Sequence, residues 1–222
     1  FVLNILSDLL KFKNPNLFKD IFIKKESEIK LNKYQAVTSK INAITFSIYE
    51  GLGNSEIKNL SFSLKTLNIY ERKILSKLGL RIGTEMIYLP DLLKPKAIKL
   101  RAILWSIYNS NFPLKGIPDS GRVSCDLDKS VPNYFFKSIG FFPFTSFALR
   151  ADILERLYVL IRSEAKKEKF KITESMLSIA GANKSQIEEV LIYLGYKVIE
   201  YKKSEREGIS VPIFIKKKNY KD

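Results

Sequence analysis

The 222-residue chain contains no histidine and a single cysteine, Cys125. Without histidine, a Cys–His nucleophilic pair is excluded, and so are the Cys/His ligand sets of structural zinc sites. A lone thiol forms no internal disulfide, which fits a reducing compartment; Cys125 reads as a small apolar residue of a packed strand. No phosphate loop of the form GxxxxGK[ST] occurs, because Gly51-Leu52-Gly53 has no Lys-Ser/Thr after it and reads as a helix end. No apolar run reaches membrane-spanning length, and the apolar opening at 1–10 is short and carries Asp8. Asp126 and Asp128 alternate like neighbours on a strand face, but no Glu or Asn cluster joins them, so they read as solvated rather than as magnesium ligands. Glu188-Glu189 and Glu205/Glu207 read as exposed helix and turn charges. No catalytic residue and no metal site is therefore expected.

Acids are scarce as well. Asp and Glu number 23 against 38 Lys and Arg, for a formal net charge of +15. Such a surplus calls for a counter-charge, and nucleic acid, an anionic membrane or an acidic protein would each supply it. Nucleic acid is the favoured partner. The competing explanation, a Lys-, Ile- and Asn-rich usage typical of an AT-rich genome, raises Lys but leaves the shortage of acids unexplained. The hydrophobic content of 45% suffices for one sizeable core or two small ones. The first residue is Phe1 rather than Met, so the chain is expected to continue a longer protein, soluble and cytoplasmic.

Along the chain, 1–40 is expected to be an N-terminal segment with short strands, at 21–23 and 29–37, following a missing upstream part. A helical region with one strand is expected over 41–111. It begins with a helix at 41–50, ended by the turn Gly51-Leu52-Gly53-Asn54. Asn68 and Glu71 form an Asn version of the capping box, Ile74, Leu75 and Leu78 supply the buried face, and Gly79 is a natural stop. A strand over 80–89 follows, then a helix started by Pro95, burying Ile98, Ala102 and Trp105 and turning Lys96, Lys99 and Arg101 elsewhere. The stretch 112–147 reads as a Pro/Gly- and aromatic-rich connection, with a strand near 123–127 and aromatics that belong to a core. No internal repeat is visible.

The last part, 148–222, has a recognisable order. A helix over 152–165, a short helix capped by Thr173, the tight turn Gly181-Ala182-Asn183 and a helix over 184–194 precede two strands and a charged turn. That is the order of a winged helix-turn-helix, an order that protein-docking modules share. The fold class expected is thus mixed α+β, mainly helical, with helices and short strands followed by a small winged-helix-like C-terminal unit.

Two basic groups are candidates for phosphate contact. Lys202, Lys203, Arg206, Lys216, Lys217 and Lys218 gather around the hairpin. Lys94, Lys96, Lys99 and Arg101, with Arg81 before them, surround the start of the Pro95 helix. The helix at 184–194 is a poor base reader, since Glu188 and Glu189 repel the backbone field and no Arg is present to read guanine. Binding is expected to go by charge and shape, with little sequence preference.

The segment LGLRIGTEMIYLPDLLKPKAIKLRAILWSI at 78–107 resembles a block near the C-terminus of alphaproteobacterial helicases related to the mitochondrial RNA-degradosome helicase. The matching residues are Leu78-Gly79-Leu80-Arg81-Ile82-Gly83, Leu89-Pro90, Leu92-Leu93-Lys94-Pro95 and Leu104-Trp105. Arg150-Ala151-Asp152-Ile153-Leu154-Glu155-Arg156-Leu157 is similar to a later helix of that family, and Ala180-Gly181 through Gly195-Tyr196 to the small helical unit after it. The resemblance covers 44–196. It implies the C-terminal region of a superfamily 2 ATP-dependent RNA or DNA helicase whose motor, with its ATP and magnesium, lies upstream. No cofactor and no catalytic residue carries over to this chain. The resemblance leaves two roles open: binding a single strand of RNA or DNA, or docking a partner such as a nuclease.

Overall fold

The computed structural model describes residues 34–110, 116–203 and 210–216. The expected strand at 21–23, and most of the one at 29–37, lie outside the described residues. Tyr34 to Val37 are helical instead, the opening turn of α1 (Tyr34–Glu50). The inward residues Ile41, Ile44 and Ile48 sit three and four positions apart, and Val37 continues that spacing backwards, so the helical period prevails.

The described chain is a mixed α+β fold, mainly helical, with several short antiparallel sheets. After α1 come β1 (Asn54–Glu56), a 3-10 turn, α2 (Ser61–Lys65) and α3 (Ile69–Lys77). The capping box forms as the sequence predicts: Glu71 N–H donates to Asn68 Oδ1 at 2.8 Å, and Asn68 N–H donates to Glu71 Oε2 at 2.7 Å. The single strand expected over 80–89 is instead a hairpin, β2 (Arg81–Ile82) and β3 (Met86–Tyr88). Gly83 makes the reversal, its N–H bonded to Met86 O at 2.9 Å; a Cβ there would stand 2.8 Å from that same oxygen.

A second stretch follows with α4 (Pro95–Tyr108), β4 (Ser124–Asp126), α5 (Asn133–Ser138), β5 (Phe141–Pro143) and β6 (Phe147–Arg150). The segment read as a connection at 112–147 is therefore structural over its described part. Its aromatics explain why. Phe135, Phe136 and Phe141 are buried against Ile98, Ala102 and Trp105, with the Trp105 and Phe135 rings edge to face at 4.9 Å.

The last stretch comprises α6 (Ala151–Glu164), β7 (Phe170–Lys171), α7 (Glu174–Ala180), α8 (Lys184–Tyr193), β8 (Tyr196–Lys203) and β9 (Ser210–Lys216). Thr173 caps α7 as expected, and Asn183 with Gln186 forms a second capping box on α8.

These three stretches share one plan that the sequence conceals. In each, a helix leads to a first strand, then to another helix, then to a hairpin whose far strand pairs with the first. The sheet orders are β1-β3-β2, β4-β6-β5 and β7-β9-β8. The register repeats too: Arg81 pairs with Tyr88 and Ile82 with Ile87, while Phe142 pairs with Leu149 and Pro143 with Ala148, at the same spacing. Each final helix ends on an apolar residue and a left-handed glycine: Leu78-Gly79, Ile139-Gly140 and Leu194-Gly195, at φ of 85°, 87° and 83°. That conformation is nearly closed to residues with a Cβ, which is why glycine stands there three times. The first and third stretches insert a short helix before the final one, and the second omits it. The repeated plan runs over 34–93, 95–150 and 151–216.

The third unit fastens the other two together. The turn of the first hairpin donates Thr84 N–H and Oγ1 to the Glu155 carboxylate of α6. The equivalent turn of the second hairpin donates Thr145 N–H, Ser146 N–H and Ser146 Oγ to Glu189 of α8. Tyr193 spans both joints, its hydroxyl 2.9 Å from Glu85 Oε2 and its ring 5.5 Å from the centres of Phe142 and Phe144. Beneath, Met86, Tyr88 and Leu93 of the first unit share one core with Phe142, Phe147 and Leu149 of the second and with Leu157, Ile161 and Phe214 of the third. Among the described residues no helix is long and apolar enough to cross a membrane.

Candidate nucleic-acid interface

The cations singled out from the sequence differ in placement among the described residues. Lys94 is exposed but ion-paired with Asp91 at 2.8 Å. Lys96 and Lys99 are exposed on the outside of α4, and Arg81 is exposed on the edge strand β2. Arg101 belongs to none of this. It is 2% exposed, and its guanidinium reaches Leu92 O at 3.1 Å through Nη1. Nε and Nη2 have no partner there. Complete burial pulls its pKa down from 12.5 to about 9. Arg101 lies three residues after Ile98 and four before Trp105, on the buried stripe of the helix, and is corrected from a surface contact to a core residue.

Around the third hairpin, Lys216 is exposed at the end of β9, and Lys202 and Lys203 close β8 by their backbone. Arg206, Lys217 and Lys218 lie outside the described residues. Of the neighbouring cations, Lys169 approaches Glu200 at 3.7 Å and Lys167 pairs with Glu164 at 2.7 Å. The helix α8, where a winged-helix protein would read bases, has Glu189 committed to the second unit's hairpin and Gln186 Nε2 bonded to Asp126 at 2.9 Å.

A cleft of about 470 Å³ lies along the same seam, lined by Arg122, Ser124, Cys125, Asp126, Asn183 and Gln186 among others. Its polar groups serve the joint: Ser124 Oγ donates to Gly181 O at 2.7 Å, and Asn183 Oδ1 caps α8. Burial first, and the Asp126 charge second, push the Cys125 thiol up to about 11, away from the range of reactive thiols. No group of acidic residues or cysteine suited to a metal occurs among the described residues.

A further run of cations lies on the first unit, of which only Arg81 is singled out from the sequence. Between 61 and 82 stand Lys65, Arg72, Lys73, Lys77 and Arg81 against one acid, Glu71. Glu71 is 1% exposed and spent on the capping box, so the outward charges of this segment are all positive. Lys73 and Lys77 follow Tyr70 at three- and four-residue steps, which puts all three on one face of α3. Tyr70 is 61% exposed, Ile69 77% and Phe62 80%. Arg72 also faces out but bends back to Leu64 O at 2.9 Å, tying α3 to α2. The signal was in the sequence: once Ile74, Leu75 and Leu78 are assigned inward, the helical period sends Tyr70, Lys73 and Lys77 outward.

Comparison with known proteins finds no protein family, no curated protein and no solved structure that matches this chain.

Proposed function

We propose that this chain is the non-catalytic, nucleic-acid-binding C-terminal region of an ATP-dependent RNA or DNA helicase, contacting the strand by charge and shape. The observation that carries the reading is the α2–α3 segment, where Lys65, Arg72, Lys73 and Lys77 stand against one acid, the buried Glu71. A polyanion with evenly spaced charges is the partner that such a surface suits, through phosphate contacts that release counterions. The order of elements supports it. Helix, strand, helix, helix and hairpin in the first and third units follow the winged-helix plan, in which the last helix faces the nucleic acid. We read both units in that way, the first as the one that binds and the third as the one that braces. The resemblance of 78–107 to the helicase block supplies the parent activity, with ATP hydrolysis in a motor upstream.

The test is fluorescence anisotropy of the 222-residue chain with labelled RNA and DNA over a salt series. Affinity should fall steeply with salt and vary little with base sequence. A flat salt response, or no binding at low salt, would overturn the reading. Capture of a nuclease that survives removal of nucleic acid, together with a flat salt response, would establish the docking role instead.

A further inference from the structure

The three units offer equivalent final helices, and two of them are already occupied. On α5, Lys137 is held by Glu56 of the first unit at 2.9 Å, Tyr134 lies 5.4 Å from the buried Trp105 ring, and Phe135 and Phe136 fill the core. On α8, Glu189 and Tyr193 clasp the neighbouring hairpins. On α3, Tyr70, Lys73 and Lys77 share an outer face and are exposed, and that face combines two chemistries. Lysines at helical spacing suit phosphates. Beside them, Tyr70 at 61% exposure and Phe62 at 80% present rings to solvent, where a packed surface would hide them.

A duplex uses the first chemistry and has no use for the second, because its bases are stacked on one another inside the helix. An unpaired strand uses both, since every free base has a face that an aromatic ring can cover. We infer that the α2–α3 face is a single-strand site: Lys73 and Lys77 take phosphates, and Tyr70 on the same face, with Phe62 at the start of α2, stacks unpaired bases. The contacts are to groups common to all nucleotides, so the site tolerates any sequence. This inference rests on the nucleic-acid reading above and adds to it the place and the kind of strand.

The experiment compares a labelled uridine 12-mer with a blunt duplex of equal length, using the full chain and its variants. The unpaired 12-mer should bind more tightly than the duplex at equal salt. Lys73→Gln with Lys77→Gln should weaken the 12-mer at least about tenfold and lower the salt slope by about 1.4, the share of two phosphate contacts. Tyr70→Ala should weaken the 12-mer about tenfold while leaving both the salt slope and duplex binding nearly unchanged. All three side chains are exposed, so thermal melting should be unaltered, and Tyr70→Phe should restore affinity by keeping the ring.

Three results overturn the inference. One is equal affinity for duplex and single strand. Another is full binding by the Lys73/Lys77 variant, which places the contact elsewhere and leaves the general nucleic-acid reading standing. The last is preference for vesicles of phosphatidylglycerol over the 12-mer, which would make the face a lipid site. If the unmodified chain binds neither oligonucleotide at low salt, the broader reading fails along with it.

Discussion

Arg101 shows how one side chain changes meaning between a sequence and a fold. Surrounded by Lys94, Lys96 and Lys99, it reads as part of a basic patch, yet the helix carries it into the core beneath Gly140. A Cβ at Gly140 would lie 3.1 Å from Arg101 Nη1 and 2.3 Å from Leu93 Cδ2, so the glycine and the arginine are packed as a pair. Among the described residues no acid neutralises the guanidinium; desolvation is the cause of its depressed pKa. Burying a cation on such terms is costly, and apolar replacements at comparable sites are neutral or stabilising. Arg101→Met is therefore expected to hold stability or to raise it by up to about 2 kcal/mol in urea unfolding, with one carbonyl bond lost against one desolvated charge. Nucleic-acid affinity should not change. A destabilisation of more than about 1 kcal/mol would show that the charge has a partner worth more than its burial costs.

At the scale of elements, the ion pair between α5 and β1 joins the first two units and sets a pH dependence. Glu56 lies 2.9 Å from Lys137 and 3.0 Å from Lys58. Burial by itself raises the Glu56 pKa, but hydrogen bonds and charge from the two lysines outweigh it and hold the carboxyl below its ordinary 4.5. A depressed acid stabilises the fold above its unfolded value and loses that contribution as pH falls through the folded one. Stability should thus drop with acid below about pH 4.5, and Lys137→Met should make the drop shallower, measured by urea unfolding between about pH 3 and 6. The local devices that start and stop elements were readable beforehand. Asn68 with Glu71, Thr173, the Asn183 turn and Pro95 act within four residues of themselves, and a sequence displays what acts at that range. The shared plan was not readable, because it is kept by backbone pairing. Between 78–89 and 139–150 the aligned residues agree at little more than Gly79/Gly140 and Thr84/Thr145. The same limit hid the proposed binding face: Lys73 and Lys77 stood in view, but their sharing an exposed face with Tyr70 depends on which side of α3 is packed.

Across the whole molecule, the common core makes separate unfolding of the units costly. Trp105 is the chain's one tryptophan and lies in the second unit's own cluster, so its fluorescence reports that unit while far-ultraviolet dichroism reports all three. The two signals should follow a single coincident transition in urea. Ending the chain at Arg150 removes the cover from Met86, Tyr88, Phe142 and Phe144, and the remainder should bind hydrophobic dyes and aggregate. Two separated transitions, or a well-behaved truncated chain, would show that the units stand alone. The glutamate clasps on the two hairpin turns have a mechanical consequence. A force on the first hairpin passes through Glu155 into α6, and a force on the second passes through Glu189 into α8.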